Sequence, residues 1–286
     1  MRPCVTIVDY GRSNLLSVQR ALEACGAEVQ FADTPAAVRA AGALVLPGVG
    51  AFADGMAQLR ALGLAEPLCA AARAGTPLLG ICLGMQMLLQ QSPEGGLTAG
   101  LGLIEGEVAP LPDRAVDGSA LKIPNVGWHA LRLTPAAQSG PLRALAGADA
   151  PEVYFVHSYH ALPARAQDCA AVIEFGGREV CAAVQRANVT GLQFHPEKSG
   201  PAGLEILRAF VEGAGVHARR TLEISKNGAL RRRRAPIIFN TPKHPRPPQT
   251  PVKSPAPRGR FFRGGTAGRS RWRAARPRRL PARQTR

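Results

Sequence analysis

Short apolar runs alternate with Ala- and Leu-rich segments through residues 5–91, and this alternation limits the fold more than any other feature. The runs have the length and residue types of buried strands; they are residues 5–9, 27–31, 43–48 and 76–81. Helices are expected between Ser13, a capping residue, and Gly26, over 54–74 and over 85–91. Such alternation indicates an α/β fold, with a parallel sheet covered by helices on both faces.

The second half of the chain has a different pattern, in which strand follows strand across Gly and Pro turns. Strands are expected at residues 106–111, 128–133, 152–157, 170–175, 180–186 and 191–195. We expect them to form an added antiparallel layer or to extend the sheet. Residues 202–212 predict a last amphipathic helix, which Gly213 and Gly215 would end.

The formal net charge of +16 is confined to the C-terminal part of the chain. Residues 217–286 hold 21 Lys and Arg, ten prolines and a single acid, Glu223, whereas residues 1–216 carry a net charge of −4. Without a periodic apolar pattern, the basic segment cannot bury enough surface to offset its ordering entropy. We therefore predict a folded domain over residues 1–216 and a disordered, Pro- and Arg-rich tail over 217–286.

Three interpretations of this tail stay open. Its arginines could neutralise the phosphates of RNA or DNA, or they could bind an acidic partner. The tail could also be a non-functional extension, since Arg, Pro, Ala and Gly without a pattern are what GC-rich sequence gives when translated out of frame. We favour the extension, because aromatic residues that could stack on bases are sparse there.

The six cysteines form no CxxC pair and no zinc-type spacing with histidine. Most lie in apolar surroundings, which favours buried thiols in a reducing compartment. No leader pattern precedes the first strand, and no apolar run approaches the roughly 20 residues needed to span a membrane. We expect a cytoplasmic protein without a metal, a cofactor or a membrane anchor.

The most informative motif is Gly-Ile-Cys-Leu-Gly at residues 80–84, between an expected strand and an expected helix. It has the glycine-x-nucleophile-x-glycine pattern of a nucleophile elbow, with Cys82 as the nucleophile. A helix start after the turn would favour the thiolate and would offer the Leu83 N–H to an oxyanion. A buried cysteine between two packing glycines would give the same short pattern, so the motif alone does not distinguish a nucleophile from a packed core residue.

A cysteine nucleophile needs a base, and His195 in Phe-His-Pro-Glu at residues 194–197 is the candidate. Side chains two residues apart in an extended segment point the same way, so Glu197 can orient the imidazole. A surface His-Pro-Glu turn is the alternative. A glycine turn at the end of the third strand adds Val49 and Gly50, either of which could offer a second oxyanion N–H where ligands of such sheets collect.

Together with Gly-Leu-Gln-Phe-His-Pro-Glu at 191–197, the elbow resembles the class I (triad) glutamine amidotransferases, whose fold is flavodoxin-like. Further motifs resemble, more narrowly, the glutaminase subunits of imidazole glycerol phosphate synthase. These motifs lie at residues 8–18, 46–52, 122–128 and 154–159, and the resemblance covers about residues 4–213. Ser13, Asn125 and His129 depart from the usual residues of these subunits.

The resemblance implies a role for each matched residue. Cys82 would form a γ-glutamyl thioester, and His195, oriented by Glu197, would protonate the departing ammonia and then activate water. Gln86 and the Ser158-Tyr159 backbone would hold the glutamine substrate. Ammonia would pass through a channel to a (β/α)₈-barrel cyclase partner, with residues 122–128 at the interface of the heterodimer.

Rival functions remain at this stage. One is another class I glutaminase or a γ-glutamyl hydrolase, which would lack the 122–128 motif. The other is a non-catalytic nucleic-acid-binding protein on the same scaffold, which a degraded triad would favour; here all three candidate triad residues are present.

Overall fold

The structure is a computed structural model that describes residues 2–11 and 14–233. In chain order the strands are β1 (Cys4–Val8), β2 (Glu28–Ala32), β3 (Leu44–Gly48), β4 (Leu78–Cys82), β5 (Gln91–Ser92), β6 (Thr98–Ala99), β7 (Gly106–Pro110), β8 (Asn125–Ala130), β9 (Arg132–Leu133), β10 (Glu152–His157), β11 (Tyr159–Pro163), β12 (Cys169–Phe175), β13 (Arg178–Arg186) and β14 (Val189–Leu192). The α-helices are α1 (Leu15–Ala24), α2 (Pro35–Ala40), α3 (Phe52–Ala61), α4 (Ala65–Arg73), α5 (Leu83–Met87) and α6 (Gly200–Arg233).

An eight-stranded sheet forms the centre, with strand order β2-β1-β3-β4-β14-β13-β12-β9. The first five strands in this order are parallel, and β13, β12 and β9 continue the sheet in antiparallel pairing. The expected α/β fold with a mostly parallel sheet is therefore confirmed. The register pairs Gly48 with Cys82 and Leu192 with Ile81, which brings the C-terminal ends of β3, β4 and β14 together.

Successive residues of the central strands point into two separate cores. Val45 and Leu79 belong to the core that α1 and α6 cover, whereas Leu44 and Leu78 belong to the core on the opposite face, with α3 and α4. Because side chains alternate along a strand, a strand buried on both faces must be apolar at every position. This explains why β3 and β4, which are buried at every position, contain no polar or charged side chain.

The added antiparallel structure takes three forms. Besides extending the central sheet, it makes a two-stranded ribbon of β8 and β10 and a four-stranded sheet of order β11-β7-β5-β6, in which only β5 and β7 pair in parallel. The ribbon pairs His157 with Asn125 and Tyr154 with Trp128. Both expectations for the second half, an added layer and an extension of the sheet, are thus met.

Two expected helices differ from those observed. The helical segment 54–74 is divided into α3 and α4, because Gly63, at φ +66°, ends the first helix. The helix expected over 85–91 stops at Met87, since the backbone of Gln90 then bonds to Gly106 and Gln91 pairs with β6 and β7. Strand pairing there overrides a sequence that could continue as helix. Ser13, the expected cap of α1, lies outside the described residues.

The last helix is much longer than expected. α6 passes Gly213 and Gly215 without a break and continues to Arg233, so the predicted end at 212 is wrong and residues 217–233 are helical. Each glycine costs about 1 kcal/mol in a helix, but the neighbouring Ala214 is buried in the core and the residues that follow are mostly good helix formers. The remainder of the predicted tail, residues 234–286, lies outside the described residues. Among the helices that the structure describes, none combines the length and the apolar run that crossing a membrane requires.

Candidate active site

Cys82 lies at the junction of β4 and α5 in a backbone conformation that few side chains adopt. Its φ of 54° and ψ of −110° are those of a sharp strand-to-helix turn. A Cβ on Gly84 would lie 1.8 Å from the carbonyl oxygen of Leu46, and one on Gly80 would lie 2.7 Å from the oxygen of Gly84. Glycine is therefore required on both sides of the cysteine, and the elbow predicted from the sequence has the expected shape.

The Cys82 thiol faces a small set of polar groups. Its Sγ lies 3.8 Å from Nε2 of Gln193, which donates to it, and 4.0 Å from the carbonyl oxygen of Val156. The side chain is buried except for the part that lines the pocket. α5 is only five residues long, so fewer aligned peptide dipoles act at Cys82 than the sequence led us to expect.

His195 and Glu197 are held together at the end of β14. Nδ1 of His195 lies 2.8 Å from Oε1 of Glu197, and both side chains are almost completely buried. The backbone reaches this geometry by a turn of 3₁₀ helix that starts at Pro196, a favoured first position, rather than by the extended segment that we expected. Ser199 fixes the turn by donating from Oγ to the carbonyl oxygen of His195 at 2.6 Å.

The imidazole of His195 is strongly basic for a buried group. Burial by itself lowers its pKa, but the interactions with Cys82 and with Glu197 outweigh burial and raise the pKa to about 9. Nε2 makes no hydrogen bond of good geometry to a described residue, yet Cys82 is the group that raises the pKa of the ring most. At neutral pH His195 therefore carries a proton beside the Cys82 sulfur.

One pocket of about 370 Å³ joins these groups. It brings together all but one of the site residues predicted from the sequence; its lining is Val49, Gly50, Cys82, Leu83, Gln86, Glu94, Pro124, Val156, His157, Ser158, Tyr159 and His195. The exception, Glu197, is hydrogen-bonded to His195 and does not line the pocket. This placement corresponds to the role of a carboxylate that orients a base.

Two buried glutamines link the far wall of the pocket to the cysteine. Nε2 of Gln86 donates to the carbonyl oxygen of Tyr159 and to Oε1 of Gln193, both at 3.0 Å, and Gln193 in turn donates to Cys82. The amide of Gln86 thus holds the Tyr159 backbone in place. Gln193 had no role in the sequence interpretation, although it stands two residues before His195 in the motif that was quoted.

Glu94 is the pocket residue that sequence reasoning missed altogether. One of its carboxylate oxygens, Oε2, accepts from the backbone N–H of Phe52 at 2.8 Å, which ties the 92–96 turn to the glycine loop after β3. That loop carries Val49 and Gly50, the latter at φ +95°. No local pattern marks Glu94, because its place in the pocket depends on a contact across 42 residues of chain.

A known protein family matches the part of the chain that contains this pocket. The family described as "Glutamine amidotransferase class-I" matches residues 6–214. The chain belongs to the class I glutamine amidotransferases. The matched range contains every residue of the pocket, and the basic segment after residue 214 lies outside it.

Within this amidotransferase family, the chain is similar to HisH subunits of imidazole glycerol phosphate synthase. The chain is 46% identical over 216 residues to "Imidazole glycerol phosphate synthase subunit HisH 1" of Legionella pneumophila (strain Lens), and the match covers 73% of this chain and 98% of the relative. It is 45% identical over 213 residues to the HisH subunit of Moorella thermoacetica, covering 74% of this chain and 95% of the relative. The narrower resemblance found in the sequence is confirmed by these relatives.

Two solved structures share the fold. "Structure of PurLQS from Thermotoga maritima" superposes with a TM-score of 0.58 at 21% identity, covering 74% of this chain and 99% of the other. A "Crystal structure of glutamine amidotransferase" gives a TM-score of 0.54 at 19% identity, covering 73% of this chain and 98% of the other. At these identities the likeness concerns the fold.

Proposed function

We propose that this amidotransferase hydrolyses glutamine to glutamate and ammonia through a triad of Cys82, His195 and Glu197. The observation that carries the proposal is a cysteine at positive φ in a pocket that His195 also lines, with Nδ1 of His195 bound to a buried carboxylate. An elbow nucleophile, a base and an orienting acid are the parts that acyl transfer from an amide needs.

The reaction runs in two halves. The Cys82 thiolate attacks the side-chain amide carbon of glutamine; as the C–N bond breaks, Nε2–H of His195 gives its proton to the leaving nitrogen, and ammonia departs. Neutral His195 then takes a proton from water, whose oxygen attacks the γ-glutamyl thioester. The C–S bond breaks, glutamate leaves, and the thiolate–imidazolium pair is restored.

The oxyanion of each half-reaction forms next to backbone N–H groups. Leu83 follows the nucleophile at the start of α5, where N–H groups have no partner within the helix. We propose the N–H of Leu83 as one donor and that of Val49 or Gly50, across the pocket, as the other. Gly50, with a positive φ, allows the loop an orientation that other residues rarely adopt.

Recognition of glutamine is proposed for the opposite wall. The Ser158-Tyr159 backbone would meet the α-amino and carboxylate groups, with Gln86 holding that backbone in place. Glu94 adds a negative charge at the pocket rim, and only its Oε2 is engaged by Phe52 in the contact described above. We propose that Glu94 pairs with the α-ammonium of glutamine, because a charge-assisted hydrogen bond there would select an amino acid.

The partner proposed for the released ammonia is a (β/α)₈-barrel cyclase, which would use it to make imidazole glycerol phosphate and the aminoimidazole ribotide AICAR in histidine biosynthesis. An exposed apolar face beside the pocket supports a partner of this kind. Val126, Trp128 and Val156 lie on the outer side of the β8–β10 ribbon, with Trp128 packed edge-on against Tyr154. Exposed apolar patches of this sort mark interaction sites. The named relatives are synthase subunits, which also supports the proposal.

The decisive assay measures glutamine hydrolysis by the purified chain, alone and with the cyclase subunit and its nucleotide ligand. We expect weak activity alone, strong stimulation when both are added, and loss of activity in Cys82→Ala. Activity that the cyclase does not stimulate would contradict the histidine-pathway assignment and would favour another class I glutaminase.

The six described cysteines are all free thiols, which supports a reducing, cytoplasmic setting.

A further inference from the structure

A line of hydrogen-bonded side chains runs from strand β8 to the pocket wall. Nε2 of His129 lies 2.9 Å from Oδ1 of Asn125, and Nδ2 of Asn125 lies 3.1 Å from Nε2 of His157 on the facing strand β10. Nδ1 of His157 lies 2.9 Å from the carbonyl oxygen of Tyr159. Three side chains therefore connect the ribbon to a single backbone oxygen of the pocket.

The direction of this line is fixed by its last member. A carbonyl oxygen can only accept, so Nδ1 of His157 must carry a hydrogen. Burial lowers the pKa of His157 to about 4, so the ring is neutral at pH 7 and Nε2 has to accept. Asn125 consequently donates from Nδ2, and its Oδ1 accepts from Nε2–H of His129. With the opposite orientation of the amide, Oδ1 of Asn125 would face the unprotonated Nε2 of His157, and two acceptors would meet without a hydrogen between them.

The surroundings favour this neutral state. Asn125 and His157 are buried, and His129 is held edge-on against the rings of Phe155 and Phe175. Among the described residues, the charges that act on His157 are those of three other histidines, His160, His129 and His195, and each lowers its pKa. The hydrogen bond to the Tyr159 carbonyl raises the pKa of His157, but burial outweighs it, and no carboxylate of the described residues contributes a further rise.

The Tyr159 carbonyl group, where the line ends, accepts hydrogen bonds from two different side chains. The carbonyl oxygen of Tyr159 accepts from His157 on one side and from Gln86 on the other, so both of its lone pairs are used. The peptide group of Tyr159 cannot turn without breaking one of these bonds. It belongs to the Ser158-Tyr159 segment that we propose as the glutamine-binding wall.

We propose that His129 and Asn125 are positioning residues for glutamine binding: they hold His157 in its Nδ1–H tautomer, which fixes the Tyr159 carbonyl and the wall that it belongs to. The inference rests on the proposed glutaminase function and adds residues that do not touch the substrate. Their loss should loosen the binding wall without altering the reacting groups. Such a change raises KM and leaves kcat nearly unchanged.

The first arm of the test reads the tautomer directly and does not depend on activity. In the full-length chain labelled with ¹⁵N-histidine, NMR at pH 7 should show His157 with a protonated Nδ1 and an unprotonated Nε2. Asn125→Asp replaces the donor with a carboxylate oxygen, so the pKa of His157 should rise from about 4. An Nε2–H tautomer, a charged ring at pH 7 in the unsubstituted chain, or an unchanged pKa in Asn125→Asp would overturn the proposal.

The second arm separates kcat from KM in the glutaminase assay with the cyclase subunit. His129→Leu removes the donor and should raise KM for glutamine about fivefold, with kcat changed by less than about twofold. His129→Gln keeps an N–H donor of similar reach and should restore most of the loss. His217→Gln, on α6 outside this network, is the matched control and should leave both constants unchanged.

The outcomes distinguish a failure of the positioning role from a failure of the proposed glutaminase function. If His129→Leu folds as judged by circular dichroism and keeps its KM, the positioning role is wrong. A lower kcat with an unchanged KM would indicate a merely structural loss of active protein, and this too would overturn it. A chain without any glutaminase activity would refute the proposed function, whereas the NMR arm would still decide whether the network has the direction given above.

Discussion

Oε1 of Glu197 lies 2.8 Å from Nδ1 of His195, and both side chains are closed off from water. A buried ion pair of this geometry is little screened, so the carboxylate acts on the imidazole at nearly full strength. Together with Cys82 it raises the pKa of His195 to about 9 against the opposing effect of burial. His195 therefore carries at neutral pH the proton that the leaving ammonia must receive.

Replacing the Glu197 carboxylate should lower the pKa of His195. His195 must be protonated to act as the acid, so activity should be lost as the pH rises through its pKa of about 9. In Glu197→Gln the pKa falls, the alkaline limb of kcat/KM shifts to lower pH, and kcat at neutral pH drops by roughly 10²-fold. A pH–rate profile of the glutaminase reaction measures both effects. The exposed Glu205 on α6 provides the control, because Glu205→Gln should change neither; an alkaline limb that stays in place in Glu197→Gln would refute the assigned role.

The elbow should tolerate no side chain at Gly84. An added Cβ would lie 1.8 Å from the carbonyl oxygen of Leu46 in the neighbouring strand, so β3 and α5 would have to separate. We expect Gly84→Ala to lower the free energy of unfolding by about 3 kcal/mol and to abolish glutamine hydrolysis. Gly42→Ala, with no atom within 4 Å of the added Cβ, should be close to neutral. Urea denaturation of the two variants gives the comparison, and equal stability of both would contradict the packing described here.

Trp128 should contribute to binding of the cyclase subunit and not to the stability of the fold. Its side chain is 53% exposed on the outer side of the β8–β10 ribbon, next to the pocket. Trp128→Ala should weaken binding of the cyclase subunit roughly 30-fold, as expected for an aromatic anchor, with little change in the melting temperature. Phe31→Ala, which removes another largely exposed aromatic side chain on the edge strand β2, is the control. Titration calorimetry that finds the same loss in both variants would place the interface elsewhere.

Removal of residues 217–286 should leave glutamine hydrolysis intact. The packed part of α6 ends near Gly215, and Val216 is already about half exposed. Because the family match also ends at residue 214, the deleted segment lies beyond the matched domain. Steady-state kinetics of the truncated chain test this. A truncated chain that is folded and binds the cyclase but has lost activity would show that the basic segment contributes to function.

The elements around the nucleophile were predictable because their signals are local. A buried strand, two glycines and a cysteine within five residues leave few alternatives to a sharp turn, and the structure has that turn at Cys82. The strand register then brings Gly48 beside Cys82, and β14 brings His195 to the same edge of the sheet. Parallel strands in one open sheet produce this convergence without further information.

What could not be predicted depends on contacts between distant segments. Glu94 enters the pocket through its bond to Phe52, which no local pattern reveals. Strand β11 was missed because its five residues end in proline, and its pairing with β7 defines it. The early end of α5 and the long course of α6 were also missed. In the first case strand pairing overrides helix propensity, and in the second two glycines are tolerated because one helix face packs on the core.

Formation of a γ-glutamyl thioester on Cys82 can be observed by mass spectrometry of the chain quenched in acid during turnover with glutamine and the cyclase subunit. We expect a γ-glutamyl adduct on the peptide that contains Cys82, absent when glutamine is omitted and absent in Cys82→Ser. Turnover of glutamine by Cys82→Ser at the normal rate, or an adduct on a different residue, would contradict it.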